Sequence, residues 1–275
     1  MRKLLSANFA RLRIDKIFRL GMFFMFGLGI FIVCTKYSDL IRYQEQELFD
    51  DAVLAYVTFI GCCSALFCSL FLGTEYSDGT IRNKMIVGHT REAIYLSNWF
   101  ISIFAAILMA AAFILSYSIL GSFLLEEPEA SVREMIFYMV ISLFTITAYA
   151  SLFNMLSMLI SKKSASAVIC LLVFLGLMML ALIIRARLEA PEFFTPYSFT
   201  INGIEQMEPT PNPHYLQPAA RRVHQFFLDV LPYGQSIQLA GWNVVHPYFL
   251  ILYSMVISVV TTAVGIFAFR KKNLK

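Results

Sequence analysis

Residues 52–74 read AVLAYVTFIGCCSALFCSLFLGT, a run that contains no charged side chain and no proline. An α-helix rises about 1.5 Å per residue, so a run of this length can cross the roughly 30 Å hydrocarbon core of a bilayer. Inside a membrane the backbone must satisfy its own hydrogen bonds, which a helix does. The run therefore predicts a transmembrane helix.

Similar charge-free runs lie on both sides of this one, and the composition agrees with them. The chain is 59% hydrophobic and 15% charged, and its mean hydropathy is +0.69, whereas a soluble domain carries about 25% charged residues. We expect an all-α integral membrane protein with a single transmembrane domain over residues 1–275. Its six spans are predicted at about 20–35, 52–74, 97–125, 135–161, 164–184 and 247–269.

The distribution of charge orients these spans. With both termini on one side, that side holds 15 of the 22 Lys and Arg residues, and the other side holds 14 of the 18 acidic residues. Lys and Arg concentrate in cytoplasmic loops, so both termini are predicted to be cytoplasmic. No Asp, Glu, Lys or Arg lies in the middle of a span, which argues against ion-coupled carriers and pumps.

Two segments outside the spans are predicted to lie at membrane surfaces. Residues 1–18 form a basic amphipathic helix on the inner surface, although their charges could equally serve only to fix topology. In the outer loop, residues 185–246, a proline-rich part (189–218) is expected to lack regular structure, and 219–231 to form an amphipathic helix that carries Phe226 and Phe227. Residues 230–245 are too short and polar for a span, so they are either re-entrant or surface-lying.

The first inner loop, residues 73–98, reads GTEYSDGTIRNKMIVGHTREAIYLSN. Asp78 is a favourable N-cap for a short helix over residues 79–87, and Gly88 is a favourable stop. On such a helix, polar side chains would contact a partner and apolar ones would anchor it to the spans. The expected contacts are Arg82, Asn83 and Lys84, and the expected anchors are Ile81, Met85 and Ile86.

This loop resembles the permease subunits of ABC-2 type transporters. The resemblance lies in Glu75-Tyr76-Ser77-Asp78-Gly79-Thr80-Ile81-Arg82-Asn83-Lys84 and in the six-span layout, with Leu231-Pro232-Tyr233-Gly234-Gln235 similar to the family's turn before the last span. It implies that a coupling helix with Glu75, Asp78, Gly79, Thr80, Arg82, Asn83 and Lys84 docks on an ATPase, and that Phe226, Phe227, Tyr233, Gly234 and Gln235 form an outer interfacial segment. A capped surface helix without a partner would need the same residue types.

The resemblance also implies a function. The chain would be the membrane subunit of an ATP-driven exporter in a bacterial plasma membrane, paired with a second identical or homologous permease and two ABC ATPase subunits, and in contact with membrane lipids but not nucleic acid. Its cargo would be hydrophobic or amphipathic, such as an antimicrobial peptide or drug. The alternatives are a polysaccharide or lipid-linked cargo, or a membrane sensor or scaffold that transports nothing.

Catalytic and cofactor motifs are missing from the sequence itself. It contains no G-x-x-x-x-G-K-[ST] phosphate loop, so ATP and Mg²⁺ are expected on the partner ATPase and no cofactor on this chain. All five cysteines fall in apolar runs without a disulfide or zinc spacing, and the histidines match no ligand motif. We therefore expect neither a catalytic nor a metal site.

Overall fold

The structure is a computed structural model that describes residues 2–44, 46–194, 197–200, 203–206 and 210–273. Helices dominate it, and four short strands lie late in the chain. In chain order the elements are α1 (Arg2–Ile14), α2 (Lys16–Tyr43), α3 (Tyr56–Ser77), α4 (Thr80–Ile86), α5 (Arg91–Leu124), α6 (Val132–Leu159), α7 (Lys163–Leu188), β1 (Phe193–Phe194), β2 (Tyr197–Thr200), β3 (Gly203–Gln206), β4 (Thr210–Pro211), α8 (Pro218–Val230), α9 (Pro232–Ala240) and α10 (Pro247–Lys271).

Six of these helices are long and apolar enough to cross a membrane, counted over the residues that the structure describes. They are α2, α3, α5, α6, α7 and α10, and a 3₁₀ turn at Asp50–Ala52 leads into α3. This agrees with the predicted all-α class and with the six predicted spans. It indicates a multi-pass membrane protein.

The helices extend beyond the charge-free runs from which they were predicted. The first span was expected at 20–35, but α2 begins at Lys16, after Asp15 accepts a hydrogen bond from the Phe18 amide at 2.8 Å. It ends where Gln44 adopts the left-handed conformation, with φ +54°. Lys and Arg are good helix formers, so a charged residue ends an apolar run without ending the helix.

The spanning helices pack around α3. It contacts α6 and α7 extensively, α6 packs along α10, and α2 packs along α5. α3 and α6 are the most buried spans, whereas α2, α7 and α10 expose much of their length. Those exposed surfaces are rich in Phe, Leu, Ile and Val side chains, as hydrocarbon-facing surfaces should be.

α1 and the last turn of α10 lie at the same end of the bundle. There Arg11 of α1 contacts Glu75 at the end of α3, and Arg91 at the start of α5 contacts the main chain of Lys272. We call this the terminal end, and we call the opposite end, with residues 46–55, 125–131 and 189–246, the loop end.

The loop end is more regular than predicted. The proline-rich part was expected to lack regular structure, but it contains two antiparallel strand pairs. β1 pairs with β4, with Phe193 opposite Pro211, and β2 pairs with β3, with Tyr197 opposite Gln206. Each ladder has only two strands, and proline is tolerated on such an edge because its missing N–H is not needed for pairing.

α9 covers the middle of residues 230–245, which were predicted to be either re-entrant or surface-lying. Every residue from Pro232 to Leu239 is buried, and the helix packs among α3, α6 and α7. Residues 232–239 therefore lie inside the bundle, whereas Gly241, Asn243 and Val245 are exposed at its surface.

We predict that Gly29→Ala destabilises the bundle and that Gly27→Ala does not. A Cβ at Gly29 would meet the Ser116 hydroxyl and lie 2.9 Å from the Phe113 carbonyl oxygen, whereas a Cβ at Gly27 would meet nothing within 4 Å. Overpacking costs about 1–3 kcal/mol, and an unobstructed Gly→Ala change in a helix stabilises it slightly. Thermal unfolding of the two variants in detergent measures this difference, and equal midpoints would contradict the close packing of α2 on α5.

Candidate functional site

The turn between α3 and α4 differs from the prediction by one residue. Asp78 was predicted to cap α4, but it closes the last turn of α3, where its amide donates to the Thr74 carbonyl at 2.9 Å. Gly79 precedes α4 instead, with φ +67°. A left-handed residue is needed to reverse the chain so tightly, and glycine takes this conformation without steric cost. The Thr80 hydroxyl donates back to the Glu75 carbonyl at 3.0 Å.

Glu75 is buried beneath this turn, with only 1% of its side chain exposed. Its Oε1 accepts from Arg11 Nη1 at 2.6 Å and from Lys84 Nζ at 2.5 Å, and its Oε2 accepts from Asn98 Nδ2 at 3.0 Å. Both carboxylate oxygens thus have charged or amide donors. α1, α3, α4 and α5 meet at this one side chain.

Asn8 completes the arrangement from the α1 side. Its amide nitrogen donates to Asn98 Oδ1 at 2.8 Å and to the Ser97 hydroxyl at 3.3 Å, and its oxygen accepts from Lys84 Nζ at 3.1 Å. We call Asn8, Arg11, Glu75, Lys84 and Asn98 the Glu75 cluster.

Arg11 has further contacts along α3. Its Nη2 donates to the Thr74 hydroxyl at 2.6 Å and to the Phe71 carbonyl, and its guanidinium lies 3.8 Å from the centre of the Phe71 ring. Arginine suits this role because its planar fork can donate several bonds at once while it stacks on an aromatic face. The contacts fix α1 against the last two turns of α3.

Tyr76, the next residue, connects the same turn to the C-terminal segment. Its hydroxyl donates to the Met158 carbonyl at the end of α6, and Lys272 Nζ donates to both the Tyr76 hydroxyl, at 2.9 Å, and the Met158 carbonyl, at 3.0 Å. Burial lowers the pKa of Lys272 from its ordinary value to about 8. The positive charge of this contact is therefore lost as the pH rises through about 8.

Arg91 closes the end of α10. Its Nη1 donates to the main-chain oxygens of Phe269, Arg270 and Lys272 at 3.0, 2.8 and 2.6 Å. These carbonyls are among those that a helix C-terminus leaves without an intrahelical partner, and a cation there also interacts favourably with the helix dipole.

α4 presents a face different from the one predicted. Arg82 and Asn83 are exposed, as expected of partner contacts, but Lys84 turns inward to Glu75 and is only 15% exposed. Ile81 is buried, as expected of an anchor, whereas Ile86 is 81% exposed and the following Val87 is 76% exposed. The prediction was wrong for Lys84 and Ile86, because the buried Glu75 carboxylate attracts the lysine and the helix is then rotated to expose Ile86.

Three members of the Glu75 cluster were not singled out from the sequence: Asn8, Arg11 and Asn98. A signal was present in α1, where Asn8 and Arg11 share a helical face with the buried Leu4 and Leu12. A polar residue among buried apolar ones at helical spacing usually has a partner in the protein.

The residues predicted to form an outer interfacial segment divide into two groups. Phe226 and Phe227 on α8 are about half exposed, as an amphipathic surface helix requires. Tyr233, Gly234 and Gln235 are buried in protein instead, so the expectation of a single interfacial segment is corrected there. A Cβ at Gly234 would overlap the Leu228 carbonyl oxygen, so only glycine fits where α9 approaches α8.

Two buried side chains hold the α8–α9 corner. The Gln235 amide oxygen accepts from the hydroxyls of Thr145 and Ser254, at 3.0 and 2.6 Å, and its nitrogen donates to the Asp229 carbonyl at 2.8 Å. The Asp229 carboxylate forms hydrogen bonds with three side-chain nitrogens, those of Gln225 (2.7 Å), Gln238 (3.1 Å) and His246 (2.9 Å). The described residues contain no group of three or more His, Cys, Asp or Glu side chains that could hold a metal ion.

We predict that Glu75→Gln destabilises the protein by about 2–3 kcal/mol, because Arg11 and Lys84 lose the carboxylate that compensates their burial. The cost lies below the maximum for such changes since Arg11 remains 27% exposed. Asp78→Asn is the matched control, because Asp78 is exposed three residues away and should change the unfolding midpoint little. An unchanged midpoint in the Glu75 variant would contradict a structural role for the carboxylate.

Comparison with known proteins provides no relative from which a function could be inferred. No family model matches the chain, and no curated protein matches it. The functional assignment therefore rests on the residues and their arrangement.

Proposed function

We propose that this chain is a membrane-spanning subunit of an ATP-driven exporter, and that α4 docks on a separate ABC ATPase subunit. The observation that carries the proposal is the exposed pair Ile86 and Val87, which stands at the tip of a polar hairpin whose base is fixed by the Glu75 cluster. Contiguous exposed apolar side chains with a polar rim are characteristic of interaction sites.

The arrangement has the two properties that force transmission between chains requires. α4 is too short to be stable alone, but Lys84 and Thr80 tie it to Glu75, and Asn98 connects Glu75 to α5. A push on the exposed face of α4 is therefore delivered to two spanning helices. Arg82 beside the apolar pair would favour a partner pocket with an acidic rim.

The resemblance of Glu75–Lys84 to ABC-2 permeases is the second support. Under this proposal the terminal end is cytoplasmic, which agrees with the concentration of Lys and Arg there. Two permease subunits, identical or homologous, would pair above two ATPase subunits, and ATP and Mg²⁺ would bind only to the ATPases. The loop end would then be extracellular.

A hydrophobic or amphipathic cargo agrees best with the surface of the spans. A groove of about 470 Å³ runs between α6 and α10 and is lined by Trp99, Met255, Val259 and Ile266 together with the small polar side chains of Thr147, Ser258 and Thr262. It contains no ionisable residue. A drug-like amphiphile or an antimicrobial peptide is compatible with such walls.

The docking proposal is tested by affinity purification of the chain from its native membranes. An ABC ATPase with a phosphate-loop motif should copurify and hydrolyse ATP in the reconstituted complex. Recovery of a partner without ATPase motifs would favour the sensor or scaffold alternative and contradict the exporter.

We predict that Ile86→Ser/Val87→Ser weakens the complex with the ATPase at least tenfold, as loss of an apolar anchor at an interface centre does. Both side chains are exposed, so the variant should fold normally. The matched control is Val132→Ser/Ile136→Ser, which removes a similarly exposed pair at the loop end of α6. Titration of the ATPase onto the chain in nanodiscs measures both, and equal affinities would contradict docking through α4.

We also predict that Glu75→Gln uncouples transport from ATP hydrolysis. α4 would keep the hydrogen bond from Thr80 to the main-chain oxygen of residue 75, but its ion-pair connection to α3 and α5 would be loosened, and such changes alter coupling by about 2–30-fold. Cargo export per ATP hydrolysed should fall in proteoliposomes while hydrolysis continues. Arg82→Gln should instead weaken docking mainly at low salt. Normal export by both variants would contradict the mechanism.

A further inference from the structure

Six basic residues precede the first apolar run, and their side chains differ in exposure to solvent. Arg11 turns inward to Glu75. The other five are all exposed: Arg2, Lys3, Arg13, Lys16 and Arg19. Between residues 2 and 35 the sequence contains a single acidic residue, Asp15, and its carboxylate accepts the Phe18 amide at the start of α2. We call these five cations the elbow surface: Arg13, Lys16 and Arg19 flank the junction of α1 and α2, and Arg2 and Lys3 lie at the start of α1.

Aromatic contacts place α1 beside the membrane-embedded part of α5. The ring of Phe9 packs edge-on against Phe104 with their centres 5.0 Å apart, and Phe104 is itself 40% exposed on a spanning helix. Lys16 and Arg19 immediately precede the charge-free run that begins at Leu20. Long basic side chains at the end of a span extend to the phosphate level of the bilayer, so we expect Lys16 and Arg19 at the height of the lipid headgroups.

α1 cannot move independently of the Glu75 cluster. Its buried face consists of Leu4, Asn8 and Leu12, and Asn8 and Arg11 together bond to α3, α4 and α5. At the junction, Arg19 Nη2 donates to the Ile14 carbonyl at 3.1 Å and braces the bend. A ligand that holds the elbow surface therefore also holds the position from which Arg11 reaches Glu75.

We propose that the elbow surface binds anionic phospholipid headgroups of the leaflet at the terminal end, and that this contact stabilises the Glu75 cluster beneath α4. The charge of the surface is complementary to such a leaflet, which attracts clustered Lys and Arg near its surface. The consequence for ATPase docking rests on the proposed function, whereas the lipid contact does not.

The test uses the full chain alone in nanodiscs of phosphatidylcholine, with and without phosphatidylglycerol. Amide hydrogen exchange in α1 should be about tenfold slower with phosphatidylglycerol, since each cation near an anionic surface contributes severalfold to binding. High salt should reduce the difference because these charges are exposed to solvent. Equal exchange in the two lipids would overturn the proposal.

Matched variants locate the effect. Lys3→Gln/Arg13→Gln/Lys16→Gln should lose most of the difference between the lipids, and Lys3→Arg/Lys16→Arg, which keeps the charge, should retain it. The control Lys162→Gln/Arg270→Gln/Lys271→Gln removes the same charge from other exposed sites at the terminal end and should also retain it. A difference that persists in the first variant, or that disappears equally in the control, would overturn the proposal.

Two further measurements distinguish a bilayer contact from a general anion site and from ATPase docking. Slower exchange on addition of inorganic phosphate to phosphatidylcholine nanodiscs would indicate a general anion site and overturn the assignment to the bilayer. Failure to bind an ATPase, with the lipid effect intact, would remove the proposed function but leave the elbow surface standing. An intact ATPase complex without any effect of phosphatidylglycerol would overturn the lipid contact at the elbow surface but leave the proposed function standing.

Discussion

The terminal end of this protein depends on the neutralisation of one buried carboxylate. An ionised side chain removed from water is costly unless its partners are close and its remaining hydrogen-bonding positions are filled. Glu75 satisfies this condition with Arg11, Lys84 and Asn98. Because each of these donors comes from a different helix, the electrostatic requirement of one side chain determines where α1, α4 and α5 lie relative to α3.

The same condition explains the unexpected orientation of α4. A lysine on a short polar helix would ordinarily extend into water, where its charge is best solvated. Here Lys84 compensates the buried carboxylate, and this rotates α4 so that Ile86 and Val87 face outward. The exposed apolar pair is therefore a consequence of the buried ion pair. Burial of the Lys84 charge on one side of this seven-residue helix therefore creates the exposed apolar surface on its other side.

The sequence predicted the elements that follow from local patterns. Apolar runs indicated the spanning helices, and the spacing of apolar positions indicated α8 almost to the residue. It did not predict the extension of α2 through Lys36 and Arg42, since hydropathy records the absence of charge and not the end of a helix. The strands of the proline-rich part were missed because pairing of two short segments is set by backbone geometry and leaves little apolar pattern.

The candidate site was predicted only in part, for a reason that is also physical. Glu75 and Gly79 were found through a contiguous motif, but Asn8 lies 90 residues from Asn98 and 76 from Lys84. A single sequence carries no record of such distant pairs. α9 illustrates the same difficulty, because Gln235 and Gln238 are too polar for the interior unless their partners Thr145, Ser254 and Asp229 are known.

The use of Lys272 as a structural residue has a consequence for biogenesis. The carbonyl oxygens that accept from Arg91 and the ammonium group that joins Tyr76 to Met158 belong to residues 269–272, at and just after the end of α10. During synthesis, α1, α3 and α5 can assemble early, because all their mutual contacts lie in the first half of the polypeptide. The contacts of Arg91 and Tyr76 with residues 269–272 can form only once α10 has been synthesised, so this part of the terminal end closes after α1, α3 and α5 have met.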